Sequence, residues 1–268
     1  MNATTTSRGS CRTPVRGAPS NVRAGFSLLD VLVSISVIAV LIGLLMPSLA
    51  RVQETARRVV CQSNIRQIGL GVMMYADDYR GFLPPSIFID SDPRSRGSDR
   101  PHEMVTLRLS PEEDPYAPWD GLGLLFQRGY VSAPKVYYCP SHTGDNPYSR
   151  YALSWSEGAG EIVCNYHFRG EGPARPGQRG RQMAMTRMLY LIDPARSSLI
   201  ADGMRVRTDY NHKVGVNFFR ADLTVHWFDD AARVLVNGLA EDKDDPEAPA
   251  TVEAAWHLFD LSVPQGPQ

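Results

Sequence analysis

An α+β fold is expected from three features of the 268-residue sequence: a single apolar run long enough for one bilayer crossing, an amphipathic continuation of the same helix, and a following series of short strand-like segments. The expectation is a long N-terminal transmembrane and stalk helix packed on an antiparallel sheet. Three segments result: a basic leader over 1–25, the transmembrane and stalk helix over 26–80, and an extracytoplasmic α+β domain over 81–268.

The first segment is defined by charge. Residues 1–25 hold Arg8, Arg12, Arg16 and Arg23 and no Lys, Asp or Glu, whereas the whole chain carries 28 basic and 29 acidic residues. That balance does not describe a protein built to neutralise nucleic-acid phosphates, so no nucleic-acid partner is expected. With 43% hydrophobic residues, the chain has the makeup of a globular protein.

Phe26 to Met46 reads FSLLDVLVSISVIAVLIGLLM, with Asp30 its one charged residue. As a helix it spans roughly 31 Å, the thickness of a hydrocarbon core. Ser34 and Ser36 are tolerable there because a helical hydroxyl bonds a carbonyl one turn back. Four Arg precede the span, while Arg51 to Arg58 holds three Arg and Glu54, so the positive-inside rule keeps the N-terminus cytoplasmic. The run lacks a small-residue cleavage pattern after it, which makes a cut there the weaker reading; the alternative is a cut before the run, at Gly25, where the basic leader meets Phe26. Pro47 lacks the N–H that would bond the carbonyl of Gly43, which makes the pair a kink or hinge in the helix or simply tolerated curvature at the membrane boundary.

Beyond the span, Leu49, Val52, Ala56, Val59, Ile65, Ile68, Val72 and Tyr75 recur at steps of three and four, which predicts a buried stripe. Arg51, Arg57, Arg58, Arg66 and Gln67 fall on the solvated side. The helix is expected to end near Tyr79–Gly81, with Gly81 as cap and Pro84-Pro85 blocking continuation. Residues 90–118 are expected as a surface loop, 122–130 as a short helix, and 135–139, 188–192 and 198–201 as strands. Val214–Arg220 and Leu223–Phe228 read as a hairpin joined through Ala221-Asp222.

Gly25-Phe26-Ser27-Leu28-Leu29-Asp30 resembles the processing site of type IV prepilins and type II secretion pseudopilins, in which a Gly precedes a new N-terminal Phe and an acidic residue stands fifth. The later segments Cys61–Gly69, Tyr137–Ser141 and Ala201-Asp202-Gly203 are similar to large-domain relatives of that group. Those relatives carry a His-x9-Asp-Gly pattern. His212 and Asp222 keep its spacing, while Leu223 replaces the Gly and implies a different turn or register.

The resemblance implies a pilin-like fold and a structural, non-enzymatic subunit with no cofactor, processed at Gly25 and Phe26 and assembled through Asp30, Gly43 and Pro47. Its implied partners are a prepilin peptidase, other pseudopilin subunits, the inner-membrane secretion machinery and the lipid bilayer. A carboxylate inside an apolar span costs on the order of 2.5–3.5 kcal/mol unless paired. The resemblance offers the Phe26 ammonium of a neighbouring subunit as partner to Asp30; water at the membrane interface is the alternative. Asp is also one methylene shorter than the group's usual Glu.

Once the leader is removed, the chain keeps Cys61, Cys139 and Cys164, which permit one disulfide in three pairings. Cys61 and Cys139 both lie in the family-like segments, which favours that pair. Alternatively, Cys139, His142, Cys164 and His167 have the paired short spacings of a zinc site. The acidic run 241–247 offers oxygen ligands for calcium without an EF-hand order. No hydrolase or nucleotide-binding motif is present, and a triad of Ser154 or Ser156 with His212 and Asp202 has only residue type behind it. A second functional class is a membrane-anchored binding module, for example for a glycan, using Trp119, Tyr148 and Trp155.

Overall fold

A computed structural model describes residues 27–262 apart from 92, 96–98, 115, 117 and 175–184. Its first element is a helix of 51 residues, α1 (Leu28–Asp78), and it continues as helix through Gly43 and Pro47. Ser27 and Asp30 start it with a reciprocal cap: Ser27 Oγ accepts the Leu29 N–H at 3.2 Å, and the Ser27 N–H donates to Asp30 Oδ2 at 3.3 Å. Ser34 and Ser36 donate to the carbonyls of Val31 and Val33, both at 2.8 Å, so neither hydroxyl is left bare on the apolar surface. Gly81, at φ +86°, receives the chain just beyond the helix.

The chain divides within α1 into two compact units, one ending at Leu49 and one beginning at Ala50. The boundary lies inside the helix, rather than at its end near residue 80, because Cys61, Ile65, Ile68, Val72 and Tyr75 belong to the core of the second unit.

That unit is built on the antiparallel sheet β3-β6-β7-β8, with β3 Tyr166–Phe168, β6 Ser198–Asp202, β7 Gly215–Arg220 and β8 Val225–Asp229. Two small pairs flank it: β1 (Thr106–Arg108) with β2 (Ile162–Val163), and β4 (Gly172–Pro173) with β5 (Met185–Thr186). The helices α2 (Gly123–Gln127) and α3 (Tyr148–Glu157) come before β2, and α4 (Val234–Gly238) and α5 (Ala248–Leu261) close the chain.

Both sheet faces are covered. On β7, Phe219 joins the core that contains the α1 residues, while Val216 and Phe218 join Leu235, Val252, Trp256 and Phe259 of α4 and α5. This alternation is the period-two geometry of a strand buried on both sides. Gly69 brings α1 close to the sheet, since a Cβ there would stand 2.5 Å from the Phe219 ring.

Several expectations are corrected. Lys135–Cys139 and Met188–Ile192 are not strands; their centres are short 3-10 turns, Pro134–Tyr137 and Leu189–Leu191, the first opened by a proline. Residues 90–118 are not all surface loop, because Met104, Val105, Leu107 and Leu109 are core residues on and around β1. The α4–α5 layer was not anticipated. The hairpin is present, but its turn runs through Ala221-Asp222-Leu223. Leu223 takes φ +71°, the left-handed conformation that glycine adopts most readily, and β7 pairs with β8 from Gly215–Asp229 to Phe219–Val225.

The helical stripe is also reassigned at its start. Leu49, Val52 and Val59 are 56%, 63% and 58% exposed, and the protein-facing side there is Glu54 and Arg58, two turns and one turn before Cys61. Arg58 stacks over Trp227 of β8, 3.4 Å from the ring centroid.

Candidate functional site

Four polar side chains from distant parts of the sequence meet under α1. Cys61 comes from the buried helical stripe, Cys139 follows the 3-10 turn 134–137, Asp202 ends β6, and His212 precedes β7. Their ligand-type atoms all lie within 4.8 Å of one another, and all four residues are buried. Gly203 permits the turn after Asp202, because a Cβ there would come within 2.5 Å of the Asp209 carbonyl oxygen.

The contacts are directional. The Cys61 thiol donates to Asp202 Oδ1 at 2.7 Å, Cys139 Sγ lies 3.6 Å from His212 Nε2, and that nitrogen is 3.5 Å from Asp202 Oδ2. Outside this group, His212 Nδ1–H donates to Glu54 Oε1 at 2.7 Å, and Ser141 Oγ donates to Glu54 Oε2 at 3.0 Å. Asp202 Oδ2 accepts the Asn217 backbone N–H at 2.7 Å. The Glu54 contact leaves Nε2 as the nitrogen turned towards the two sulfurs and the buried carboxylate.

The electrostatics follow from this enclosure. Burial pushes the Cys61 thiol well up, and the neighbouring Cys139 and Asp202 push it in the same direction. Cys139 is moved down: burial opposes its ionisation, but the hydrogen bond from Cys61 and the His212 ring outweigh it. His212 is raised to about 9, with burial overcome by Cys139, Asp202 and Glu54. Asp202 is raised, chiefly by complete burial. The cluster can therefore share protons between sulfur and imidazole, form a sulfur–sulfur bond, or hold a cation in place of those protons.

The structure redistributes the residues singled out in the sequence. Gly25 and Phe26 lie outside the described residues. Asp30 serves in the helix cap, and Gly43 has open space around it. The structure brings the favoured pair Cys61 and Cys139 together with both thiols reduced, while Cys164 bonds elsewhere. The alternative zinc set is not assembled. Cys164 donates to the Tyr166 carbonyl, its thiol raised to about 12 by burial; His142 Nδ1–H bonds Asn211; and His167 Nε2–H bonds the Pro101 carbonyl at 2.6 Å.

His212 and Asp222 do not meet, because Asp222 Oδ1 accepts the Thr224 N–H in the hairpin turn. In the acidic run, Glu241 pairs with Arg207 while Asp242 and Asp245 cap local turns. Ser156 bonds the Leu153 carbonyl rather than entering a triad. Trp119, Phe126 and Trp155 meet in tilted and edge-on ring contacts, and Tyr148 meets Tyr138 edge-on, so the aromatics considered for glycan binding pack in or against the core.

Glu54 was missed although a signal existed: it stands seven residues before Cys61, two turns back on the same helical face.

The family model for proteins of unknown function designated DUF1559 matches residues 50–205, more than half of the chain. The chain belongs to this family. The DUF1559 match starts at Ala50, where the compact second unit also starts, and takes in Glu54, Cys61, Cys139 and Asp202. No curated protein and no solved structure matches the chain.

Proposed function

We propose that this DUF1559 chain is a pseudopilin-like structural subunit of a type II secretion-like system at a bacterial inner membrane. It inserts with residues 1–25 cytoplasmic, is cut after Gly25 by a prepilin peptidase, and is methylated on the Phe26 nitrogen. Copies then pack through Phe26–Met46 into a periplasmic fibre. The protein is a substrate of that maturation and has no catalytic role of its own.

One observation carries the proposal. α1 is, among the described residues, the one helix long and apolar enough to cross a membrane, and none of its apolar window is buried. Leu28, Leu32, Ile38 and Leu44 are 89%, 64%, 54% and 72% exposed. Such a surface needs lipid or other apolar helices around it. The Arg-rich leader supports the direction of insertion. Asp30 supports assembly: its cap to Ser27 engages Oδ2, and the N-terminal ammonium of a neighbouring chain would offset the cost of placing the carboxylate there.

Replacing Gly25 with Leu tests the proposal in membranes that contain the peptidase. The expected outcome is persistence of the full-length precursor, together with loss of the crosslinked ladders that single cysteines at Val37 and Ile42 give in the otherwise unaltered chain. Normal maturation of the variant, or crosslinks that stop at monomer in the unaltered chain, would overturn it.

A further inference from the structure

We propose that Cys61, Cys139, Asp202 and His212 form a closed structural site for a divalent cation of the zinc class. The inference concerns the second unit alone and does not rest on fibre assembly.

Geometry comes first. Metal–sulfur bonds of about 2.3 Å and metal–nitrogen or metal–oxygen bonds of about 2.0–2.2 Å give tetrahedral edges of roughly 3.3–3.8 Å. The Cys139 Sγ–His212 Nε2 and His212 Nε2–Asp202 Oδ2 separations are 3.6 Å and 3.5 Å, and all four donors lie within 4.8 Å of one another. Two sulfurs, an imidazole and one carboxylate select a borderline cation; calcium and magnesium favour sites made of oxygen.

The surroundings match as well. A metal-bound imidazole ordinarily donates its other N–H to a carboxylate, and His212 Nδ1–H does so to Glu54, which Ser141 holds in turn. The Asn217 N–H orients Asp202. A disulfide between Cys61 and Cys139 would account for neither the aim of His212 Nε2 nor the Glu54 relay.

A cavity of about 380 Å³ adjoins the cluster at His212, and Glu54, Ser141, Arg57, Lys213 and Arg233 also line it. Four buried donors leave no open position, so the site is structural rather than catalytic. It joins α1 to Cys139, to the end of β6 and to the start of β7.

Binding is a proton exchange. The cation enters, bonds form to both sulfurs, to Nε2 and to Asp202, and two protons leave. One comes from the Cys61 thiol; the other comes from Cys139 or, where Cys139 is already a thiolate, from the imidazolium Nε2. No electron is transferred.

The test uses the full chain in detergent, reduced and stripped of metal with a chelator, then titrated with cobalt(II) and zinc(II). The expected result is one cobalt per chain with sulfur-to-cobalt charge-transfer and tetrahedral d–d absorption, displaced by zinc, and alkylation of Cys61 and Cys139 slowed at least tenfold by zinc. Cys139→Ser should abolish the charge-transfer band of the paired thiolates. Glu54→Gln, a change at the half-exposed edge, should weaken binding by about 10–100-fold.

Cobalt uptake without thiolate bands in the reduced chain would overturn the proposal. So would unchanged alkylation rates with zinc, or a native Cys61–Cys139 disulfide in protein isolated from membranes without reductant.

Discussion

The two ends of α1 present the same kinds of side chain to different surroundings. Ile38 is 54% exposed among other exposed apolar residues, while Ile65 and Ile68 are completely buried against the sheet core. In the inner half, apolar residues occupy all sides of the helix; in the outer half they alternate with Arg66, Gln67 and other polar residues. Uniform greasiness calls for a greasy medium, and periodic greasiness calls for one packed face. The intermediate stretch shows that the transition is not abrupt, because at Glu54 and Arg58 the packed face is polar while Leu49, Val52 and Val59 look outward.

The sharpest way to break this comparison is to truncate one isoleucine from each half. In the full chain in detergent, Ile68→Ala should lower the unfolding free energy of the second unit by roughly 2–5 kcal/mol, whereas Ile38→Ala should change it by no more than about 0.5 kcal/mol. Denaturant titration followed by tryptophan fluorescence reads both, and equal losses would show that the two halves are packed alike.

A second difference lies in titration. Burial, partly offset by the bond to the Pro101 carbonyl, lowers His167 of β3 to about 4, and its ring also stands edge-on to Trp256. An unfolded histidine titrates near 6.5. The folded state therefore favours the neutral ring. The associated stability is complete above about pH 6.5 and is lost as the pH falls to about 4, by on the order of 3 kcal/mol. Denaturation midpoints between pH 7 and pH 4 check this against His167→Asn, which should flatten the dependence. An unchanged slope in that variant would assign the acid sensitivity to other groups.

The smallest expected effect is at the hairpin. Leu223 holds φ +71° in a turn where glycine is unstrained, so Leu223→Gly should raise stability by ~1 kcal/mol. A calorimetric scan should register that gain and none for Leu41→Gly in the inner helix, where the conformation already suits leucine.

Much of this architecture was legible because it depends on local period. The 3.5-like spacing of Ile65, Ile68, Val72 and Tyr75 identified the packed face, Gly81 marked the end of α1, and the pair of strand-like runs around Ala221-Asp222 identified the β7–β8 hairpin. The second layer was legible in principle, since Val252, Ala255, Trp256 and Phe259 repeat at three and four residues, but the neighbouring acidic run drew attention to a loop.

The cluster was not legible as a unit. Cys61 and Asp202 are 141 positions apart, and only folding brings them together with Cys139 and His212. Short spacings such as Cys139 to His142 suggested a different set, because sequence distance is a poor guide once strands pair across long connections. Leu223 is the converse case: the residue type argued against the left-handed turn, and the hairpin imposes it.

The central claim is that the bare half of α1 stays with the protein and is where copies meet. Intact mass of the chain extracted from native membranes tests it most directly. The account predicts a single species that lacks residues 1–25, begins at Phe26 with one added methyl group, and retains the entire apolar helix. A mass showing that Phe26–Met46 has been removed, with the remainder recovered free of the membrane, would contradict it.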